Sequence, residues 1–275
     1  MSELVALLTD FGTEDVYVGV MKGVMKSIAP DLQFVDISHA IRPQSVRECA
    51  LALLHSYRYF PQGTVFLVVV DPGVGSQRRP VIVQAGGYRF IAPDNGVLAY
   101  VLDEIKLGKA VILDNPQYHR SNVSNTFHGR DIFAPAAAYA ARGDIVFENF
   151  GSPAGELASL PIPQLHIERQ RLTGEVTHID HFGNIITSIG RLNWLDENHL
   201  TLKKGETSIN IEAKQAELII HGQHISGISH AYHEAPRGTL LAQIDSNGYL
   251  EIAINQGNAA KRLDAVVGDE VQVRL

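Results

Sequence analysis

The stretch TVFLVVVDPGVGSQRR, residues 64–79, joins an apolar run to a short polar loop. Residues 65–70 are apolar and rich in valine, which is typical of a strand that is buried on both faces. The segment Pro-Gly-Val-Gly at 72–75 then ends the strand, because proline has no N–H to donate and glycine permits a tight turn. Ligands of open α/β sheets bind beyond the carboxyl ends of strands. Asp71 and Arg78 are therefore candidate site residues, and the alternative is an aspartate that caps its own turn beside a surface arginine.

The regions around this stretch alternate between strand-like and helix-like patterns. The predicted strands are Leu4–Leu8, Gln33–Ile37, Val65–Val70, Val81–Ala85, Arg89–Ala92 and Ala110–Leu113. The predicted helices are Val16–Ala29, Ser45–Arg58, Val97–Glu104 and Ile132–Arg142. Ser45 and Glu48 form a capping-box pattern, and Gly86-Gly87 predicts a hairpin between two strands. The alternation predicts an α/β N-terminal domain with a central, mostly parallel sheet and helices on both faces.

Polar residues follow several of these strands. Asp10 follows the first strand, Asp71 follows the central strand, and Asn95 lies in a turn before a helix. A doubly wound sheet gathers such residues along one edge, so we expect these three to lie there. Neither G-x-G-x-x-G after the first strand nor G-x-x-x-x-G-K-[ST] occurs, so both known pyrophosphate-binding loops are missing from the sequence. His128, just ahead of the fourth predicted helix, is either a capping or surface histidine or, if it lies near Asp71 and Arg78, a residue that orients a water.

The C-terminal third has a different pattern. Residues 161–167, with two prolines, are interpreted as a connector between domains at 1–160 and 168–275. The strands predicted beyond it are Gly174–Asp180, Asn184–Ser188, Ser208–Ile211, Ala216–Ile220, Gly238–Ile244, Tyr249–Ala253 and Glu270–Arg274. Short strands at this spacing predict a small β-barrel or sandwich.

Two loops of this part carry candidate binding residues. The segment HIDHFGN, which begins at His178, places Asp180 and His181 nearby. His178 and Asp180 share a strand face, but no third metal ligand is evident. A polar pocket in which Phe182 stacks on a flat ring is therefore preferred to a metal site. The second loop, DSNGYLEIAINQGNAA at 245–260, offers main-chain groups that suit a purine edge, and the alternative for both loops is an ordinary hairpin turn.

The bulk composition narrows the classes of partner. The chain has 275 residues, 45% of them hydrophobic, which is enough to bury one large or two smaller cores. The formal net charge is −7 and basic residues do not cluster, which disfavours nucleic acid and anionic membrane as partners. Cys49 is the single cysteine, so an internal disulfide and a thiolate metal cage are excluded, and a reducing cytoplasm is expected. The sequence shows neither a secretory signal pattern nor an apolar run that would span a bilayer.

Six segments occur together along the chain: LLTDFG at 7–12, VDPGVGSQRR at 70–79, APDNG at 92–96, FHGRDIFAPAAA at 127–138, IDHFGN at 179–184 and GYLEIAINQGNAA at 248–260. In this combination the sequence closely resembles the S-adenosyl-L-methionine (SAM) hydroxide adenosyltransferase, or SAM hydrolase, family, which is related to fluorinase and chlorinase enzymes. The resemblance covers nearly the whole chain. It implies an N-terminal α/β domain, a C-terminal β-barrel domain, and a homotrimer that binds SAM between the N-terminal domain of one subunit and the C-terminal domain of its neighbour.

The resemblance also implies roles for particular residues. Asp71, Arg78 and His128 correspond to the set that positions and activates a water. Substrate contacts are implied for Asp10 at the ribose, for Asp180 and Ser246 at the methionine amino-acid group, and for Phe182, Asn184, Tyr232 and the main chain near Ala259 at adenine. Asn247 stands where the halogenases carry an arginine in the methionine-binding turn.

One difference separates the hydrolases from the halogenases of this family. The halogenases carry tyrosine in place of the central aspartate and a long insertion before the APDNG-like turn, whereas this chain keeps Asp71 and passes from Val81 to Ala92 without an insertion. A carboxylate repels halide but accepts a hydrogen bond from water. The expected reaction is SN2 attack of water or hydroxide on the ribose C5′ of SAM, which gives adenosine and L-methionine without a cofactor or metal. The alternatives are a non-catalytic SAM- or adenosine-binding module and a halide-using relative.

Overall fold

The computed structural model describes residues 3–205 and 207–275, which divide into two compact units. The first unit ends at Pro161 and the second begins at Ile162. Within the described ranges, every helix is too short or too polar to span a lipid bilayer.

The first unit contains the predicted strands and helices. In chain order its main elements are β1 (Leu4–Thr9), α1 (Tyr17–Ile28), β2 (Gln33–Ser38), α2 (Val46–Ser56), β3 (Val65–Val69), β4 (Pro80–Ala85), β5 (Tyr88–Pro93), α3 (Ala99–Glu104), β6 (Leu107–Ile112) and α4 (Ala134–Arg142). Each of these elements was predicted, with ends that differ by at most three residues.

The strands of the first unit form one sheet in the order β2-β1-β3-β5-β4-β6. The pairs β1–β2, β1–β3 and β3–β5 are parallel, whereas β4 pairs antiparallel with both β5 and β6. Gly86 and Gly87, with φ of 55° and 85°, make the tight β4–β5 hairpin that the sequence predicted. The sheet is therefore mixed, and the expectation of a mostly parallel sheet is not confirmed. Its parallel part contains β1 and β3, which Asp10 and Asp71 follow.

The central strand β3 is buried along its whole length. Val65, Leu67 and Val69 pack in one apolar cluster with residues of α1 and α4. Phe66 and Val68 pack in a second cluster with residues of α2 and α3. Successive side chains of a strand point to opposite faces, so two covered faces require the unbroken apolar run that the sequence contains. Helices therefore cover both faces of β3, as predicted.

The start of α2 differs from the predicted capping box. The side chain of Ser45 makes no capping hydrogen bond. Glu48 accepts instead from Arg42, whose Nε lies 2.6 Å from Glu48 Oε2. A charge-assisted bond to guanidinium is stronger than a bond to a neutral main-chain N–H, which accounts for the change of partner. This ion pair ties the loop before α2, including Gln44, to the helix.

The second unit consists mainly of strands: β7 (Leu165–Glu168), β8 (Arg171–Ile179), β9 (Ile185–Thr187), β10 (Leu192–Trp194), β11 (His199–Lys204), β12 (Thr207–Glu212), β13 (Glu217–Ile220), β14 (Gln223–Ser226), β15 (Leu240–Ile244), β16 (Leu250–Ile254) and β17 (Glu270–Arg274), with a short helix α5 (Ala259–Leu263). One antiparallel sheet has the order β14-β13-β17-β8-β9-β16-β15, with β7 beside β8. Its end strands β14 and β15 approach within 8 Å, so the sheet nearly closes into a barrel. Strands β10, β11 and β12 form a separate sheet.

Sequence patterns missed four of these strands, namely β7, β10, β11 and β14. Three of them, β7, β10 and β14, are three or four residues long, too short for an alternating pattern to stand out. β7 lies largely in the range 161–167 that was interpreted as a connector. The domain limits of 1–160 and 168–275 stay a prediction.

We expect Phe66→Ala to lower the free energy of unfolding of the first unit by about 3–5 kcal/mol, as for other buried phenylalanines. The Phe66 side chain is fully buried, stacks on Phe90 with centroids 5.1 Å apart, and meets the Phe60 ring edge-on at 5.2 Å. Urea denaturation measures the effect. Val35→Ala, at a side chain that is 41% exposed on β2, is the control and should change the free energy by less than about 0.5 kcal/mol. Equal losses in the two variants would contradict this account of the core.

Candidate active site

The loop that follows β3 folds back so that Arg78 binds Asp71. Arg78 Nε lies 2.8 Å from Oδ1 and 2.9 Å from Oδ2 of Asp71, and Arg78 Nη2 also donates to Oδ2. Both side chains are largely buried, Arg78 at 9% and Asp71 at 6% exposure. The guanidinium also lies over the ring of Phe133, with Cζ 5.2 Å from the centroid. The paired bonds and the aromatic contact together fix the plane of the guanidinium.

A glycine and an asparagine support this return of the chain. Gly75 has φ of 76°, and a Cβ at this position would lie 2.4 Å from the carbonyl oxygen of Asn125. Only glycine fits there without a shift of the backbone. Asn95, in the turn after β5, donates its Nδ2 to the carbonyl oxygen of Val70 at 2.9 Å. Asn95 therefore anchors the end of the central strand.

Arg79 has different partners from Arg78. Its Nε donates to Asp94 Oδ2 at 2.8 Å, and its Nη2 donates to the carbonyl oxygen of Glu156 at 2.6 Å. These bonds connect three loops of the first unit. Arg79 therefore stabilises the packing of the loops, whereas Arg78 orients Asp71.

His128 joins Asp71 and Arg78 in a three-residue cluster. Arg78 Nη2 donates to His128 Nδ1 at 2.8 Å. A guanidinium stays protonated and has no acceptor, so His128 Nδ1 carries the lone pair and the neutral ring carries its proton on Nε2. Burial, followed by the positive charge of Arg78, lowers the pKa of His128 below its ordinary value of 6.5. The histidine is therefore neutral at physiological pH.

The chain leaves His128 through an unusually wide helical turn. Gly129–Phe133 forms one π turn, in which the N–H of Ala134 donates to the carbonyl oxygen of Gly129, five residues back. A Cβ at Gly129 would lie 3.2 Å from Met21 Sδ, so glycine lets this turn approach α1 closely. Turns of this kind are frequent at functional sites.

Asp131, within the π turn, ties the preceding loop to the helix. Its side chain is fully buried, and its oxygens accept from Arg130 Nε at 2.7 Å and from the main-chain N–H of Ser124 at 2.9 Å. Burial raises the pKa of Asp131, but these donors outweigh burial and the pKa falls below its ordinary value of 3.8. The ionised carboxylate therefore holds the segment that contains His128.

Asp10, directly after β1, organises the loop before α2. Asp10 Oδ2 accepts the main-chain N–H of Gln44 at 2.8 Å. Gln44 has φ of 67°, a backbone conformation that costs free energy for a residue other than glycine. On the other side of Asp10, Thr9 Oγ1 lies 2.9 Å from Nδ1 of buried His39. The Gln44 N–H therefore holds the Asp10 carboxylate, and the Thr9–His39 bond holds the end of β1 just before it.

Asp10, Asp71 and His128 line one cavity of about 410 Å³ in the first unit. The apolar part of its wall is formed by Phe11, Tyr17, Pro43, Val69, Pro72, Val74 and Phe127. The ring of Tyr17 meets that of Phe127 edge-on with centroids 5.1 Å apart. Mainly apolar walls with a few convergent polar groups are typical of a site for a small organic ligand.

In the second unit, the turn after β8 is built around Asp180. Asp180 Oδ1 accepts the main-chain N–H groups of Phe182 at 2.9 Å and of Asn184 at 2.8 Å. Asp180 Oδ2 accepts from Asn184 Nδ2 at 2.9 Å, and the same nitrogen lies 3.4 Å from the hydroxyl of Tyr232. The structure thus brings Asp180, Asn184 and Tyr232 together. Phe182 lies in the same turn, and its side chain is 72% exposed.

Ser246 and Ala259 lie on other segments of the second unit. Ser246 is exposed in the turn between β15 and β16, and across residues 3–205 and 207–275 no hydrogen bond joins it to the Asp180 turn. Ala259 is fully buried at the first residue of α5, so its main-chain groups are what it offers a ligand. The start of α5 does contact the Asp180 turn, because the N–H of Ala260 donates to the carbonyl oxygen of Gly183 at 2.9 Å.

The sequence disfavours a metal site at His178, Asp180 and His181, because no third ligand is evident. In the structure both Asp180 oxygens accept hydrogen bonds from their own turn. In the part of the chain that the structure describes, His, Cys, Asp and Glu side chains form no group of three or more suited to a metal ion.

Both units of the chain match models of known protein domain families. Residues 5–151 match the family model of the SAM hydroxide adenosyltransferase N-terminal domain, and residues 174–272 match that of the C-terminal domain. The chain belongs to the SAM hydroxide adenosyltransferase family. The resemblance inferred from the six sequence segments is confirmed.

Similar proteins include hydrolases and a more distant halogenating enzyme. The (R)-S-adenosyl-L-methionine hydrolase of Salinispora arenicola is 34% identical over 274 residues, which cover 98% of this chain and 97% of that protein. A fluorinase of Nocardia brasiliensis is 29% identical over 304 residues, which cover 99% and 97%. Among solved structures, an uncharacterized conserved protein from Thermotoga maritima has a TM-score of 0.86 at 33% identity and covers 98% of this chain and 100% of that one.

Sequence patterns do not point to two buried polar residues of the second unit, Gln243 and Glu251. Glu251 Oε1 accepts from the hydroxyl of Tyr232 and from Gln243 Nε2, both at 2.8 Å. Glu251 and Gln243 lie on β16 and β15 and are buried. The available signal was a carboxylate within the apolar run LEIAI, since a buried charge needs partners.

We expect the His128 ring of this SAM hydroxide adenosyltransferase to titrate below pH 6.5, with the proton of the neutral form on Nε2. Arg78→Gln removes the positive charge beside His128 and leaves the negative charge of Asp71, so the pKa of His128 should rise. NMR of ¹⁵N-labelled histidine measures both the pKa and the tautomer. His221, whose pKa is raised by its bond to the Leu263 carbonyl oxygen, is the internal control and should titrate alike in both proteins. A His128 midpoint above 6.5 in the wild type would contradict the lowered pKa, and a proton on Nδ1 of the neutral ring would contradict the assigned tautomer.

Proposed function

We propose that this chain hydrolyses SAM to adenosine and L-methionine. The observation that carries the proposal is the Asp71–Arg78–His128 cluster, two members of which line the cavity of about 410 Å³. Four relatives named (R)-S-adenosyl-L-methionine hydrolase, 33–35% identical over 98% of this chain, support it. SAM combines a flat adenine, a ribose and a charged amino-acid tail, which suits apolar walls with a few fixed polar groups.

The proposed reaction is a displacement at C5′ of the ribose. A lone pair of the water oxygen forms the O–C5′ bond while the C5′–S bond breaks, and that electron pair stays on sulfur. The sulfonium becomes the neutral thioether of methionine, and the attacking water loses one proton to become the 5′-hydroxyl of adenosine. The sulfonium leaves without a proton, so neither a general acid nor a cofactor is needed. The protein has to align the water with the C5′–S bond and take one proton.

The direction of the Arg78 hydrogen bonds favours Asp71 as the group that takes the proton. His128 Nδ1 already accepts from Arg78 and Nε2 carries a proton, so the neutral ring has no lone pair left for water. We assign His128 Nε2–H to hold the water oxygen and Asp71 to accept the proton. Each carboxylate oxygen has two acceptor positions, which leaves Asp71 able to bond a water beside Arg78. The charge of Arg78 then stabilises the attacking oxygen as it loses its proton.

The remaining site residues are proposed to hold the three parts of SAM. Three of the roughly four acceptor positions of the Asp180 carboxylate are used in its own turn, which leaves one for the substrate ammonium. The full assignment is Asp10 for the ribose hydroxyls, Asp180 and Ser246 for the methionine end, and Phe182, Asn184, Tyr232 and the main chain near Ala259 for adenine.

Two other functions remain as alternatives. A binding module would hold SAM without cleaving it, and a halide-using enzyme is suggested by the 29% identity to a fluorinase. A negative Asp71 would repel an attacking halide ion, which favours water. Incubation with SAM followed by chromatography distinguishes the three functions. Adenosine with methionine indicates hydrolysis, unchanged SAM indicates binding alone, and 5′-chloro-5′-deoxyadenosine formed in chloride buffer indicates halide attack.

We expect Asp71→Ala to lower kcat by about 10²–10⁴-fold, the usual contribution of a positioned proton acceptor. The dissociation constant for SAM should change little, because Asp71 is assigned to water and not to SAM. Timed chromatography of adenosine and equilibrium binding measure the two quantities. Asp103→Ala, which removes an exposed carboxylate on α3, is the control and should keep the wild-type kcat. An unchanged kcat in Asp71→Ala would remove Asp71 from the mechanism.

We propose further that the chain forms a homotrimer whose SAM sites combine the first unit of one subunit with the second unit of its neighbour. The family resemblance supports this proposal. The assigned residues divide between the two units, with Asp71 and His128 in the first and Asp180 and Asn184 in the second. A cytoplasmic location stays a prediction from the single cysteine.

Mixed trimers test the shared site. Asp71→Ala subunits lack the proton acceptor and Asp180→Ala subunits lack the ammonium partner, so each variant alone should be nearly inactive. Equal mixing with exchange of subunits should restore about a quarter of the wild-type activity, because one site in four then receives both intact halves. The control is the same mixture without subunit exchange, which should stay inactive. Mixed trimers that also stay inactive would argue that each site lies within one subunit.

A further inference from the structure

The second unit contains a series of hydrogen bonds that runs from Gln243 and Glu251 through Tyr232 and Asn184 to Asp180. Gln243 Nε2 and the Tyr232 hydroxyl both donate to Glu251 Oε1 at 2.8 Å. Tyr232 thereby uses its one proton, and its oxygen is left to accept from Asn184 Nδ2 at 3.4 Å. The second proton of Asn184 Nδ2 goes to Asp180 Oδ2 at 2.9 Å. The donor and the acceptor of each hydrogen bond in this series are therefore fixed.

The acceptors at the two ends of the series enforce this assignment. The Asp180 carboxylate accepts three hydrogen bonds from its own turn and, when ionised, has no proton to donate. An Asn184 amide turned the other way would set its carbonyl oxygen against that carboxylate. All described hydrogen bonds of the Asn184 side chain leave from Nδ2. The carbonyl oxygen Oδ1 is therefore the group of Asn184 that a ligand can meet.

Several members of the series are buried at a cost in stability. Glu251 is 4% exposed, Gln243 is 5% exposed and Asn184 is 6% exposed, whereas Tyr232, between Glu251 and Asn184, is 42% exposed. Burial raises the pKa of Glu251, although the bonds from Tyr232 and Gln243 oppose this. Among the described residues, Gln243 Oε1 is buried without a hydrogen-bond partner, and such a group destabilises a fold. Apolar residues would fill these strand positions without that cost, so the polar pair points to a role in binding.

We propose that Glu251 is a positioning residue that acts through Tyr232 and Asn184 to select a purine with a 6-amino group over one with a 6-oxo group. The inference rests on the proposed function, in which Asn184 lies at the adenine edge. Asn184 Oδ1 accepts a hydrogen bond from the exocyclic amine. A 6-oxo purine presents an oxygen to Oδ1, and the amide cannot turn over, because Asp180 and Tyr232 hold its nitrogen.

Calorimetric titration of the whole protein with adenosine and with inosine tests the inference. The wild type is expected to bind adenosine at least about 100-fold more tightly than inosine, because a buried acceptor is left unpaired by the oxo base. Tyr232→Phe removes the acceptor of Asn184, and Glu251→Gln replaces the carboxylate that takes the Tyr232 proton. The selectivity is the dissociation constant for inosine divided by that for adenosine. Each variant should lower this ratio about tenfold, because adenosine binds more weakly.

Thr187→Val is the matched control. It removes a buried hydroxyl on β9 that donates to the Leu250 carbonyl oxygen at 2.9 Å, outside the series of bonds, and it should keep the wild-type ratio. Thermal melts establish that each variant is folded. If Glu251→Gln does not fold, Tyr232→Phe decides, since its ring is retained and partly exposed. Variants that lose affinity for both nucleosides by the same factor overturn the inference, because a merely structural role has that effect.

The outcomes also separate this inference from the proposed reaction. A wild type that prefers adenosine but releases no methionine from SAM overturns the hydrolysis and supports the selection by Asn184. A wild type that hydrolyses SAM but binds adenosine and inosine equally supports the hydrolysis and overturns the selection. A protein that binds neither nucleoside overturns the inference.

Discussion

The guanidinium of Arg78 is the group on which the candidate active site depends. One rigid plane bonds the Asp71 carboxylate and the His128 ring at once. Because its N–H groups only donate, the same contact sets the tautomer of the histidine as well as the position of both partners. A lysine would offer a single ammonium without a fixed plane and would not impose this arrangement. The contacts of Arg78 therefore set both the positions of Asp71 and His128 and the nitrogen on which His128 carries its proton.

The strand β3 shows why much of the fold could be predicted from the sequence. An unbroken apolar run of this length, with helical patterns on either side, has few solutions other than a sheet strand with both faces covered. The direction of β4 was harder to predict, because a buried strand has the same composition in a parallel and in an antiparallel pair. The direction of a strand in the sheet depends on the connections before and after it. The Gly86-Gly87 turn shows only that β4 runs antiparallel to β5. The short strands β7, β10 and β14 each pair with a strand that is adjacent in the sequence, but three or four residues are too few for an alternating pattern to mark them.

The candidate site was predictable in its residue types and not in its hydrogen bonds. Asp71 and Asn95 both follow strands, but Asp71 bonds a side chain at the cavity, whereas Asn95 bonds the carbonyl oxygen of Val70. Composition alone does not distinguish a polar group that serves the backbone from one that faces a ligand. Glu251 gave a local signal, a carboxylate within an apolar run, but its role depends on Gln243 and Tyr232, partners that the sequence pattern does not identify.

The π turn at Gly129–Phe133 bears on how this architecture can change during evolution. Such a turn amounts to one residue inserted into an α-helix. Loss of a single codon here would restore ordinary helical winding and rotate His128 by about 100° about the helix axis. The Asp71–Arg78 pair, held by a separate loop, would survive that loss. One deletion could thus remove the imidazole from the cluster while it spares the rest of the pocket, so the hold on the water and the capacity to take its proton can be lost separately.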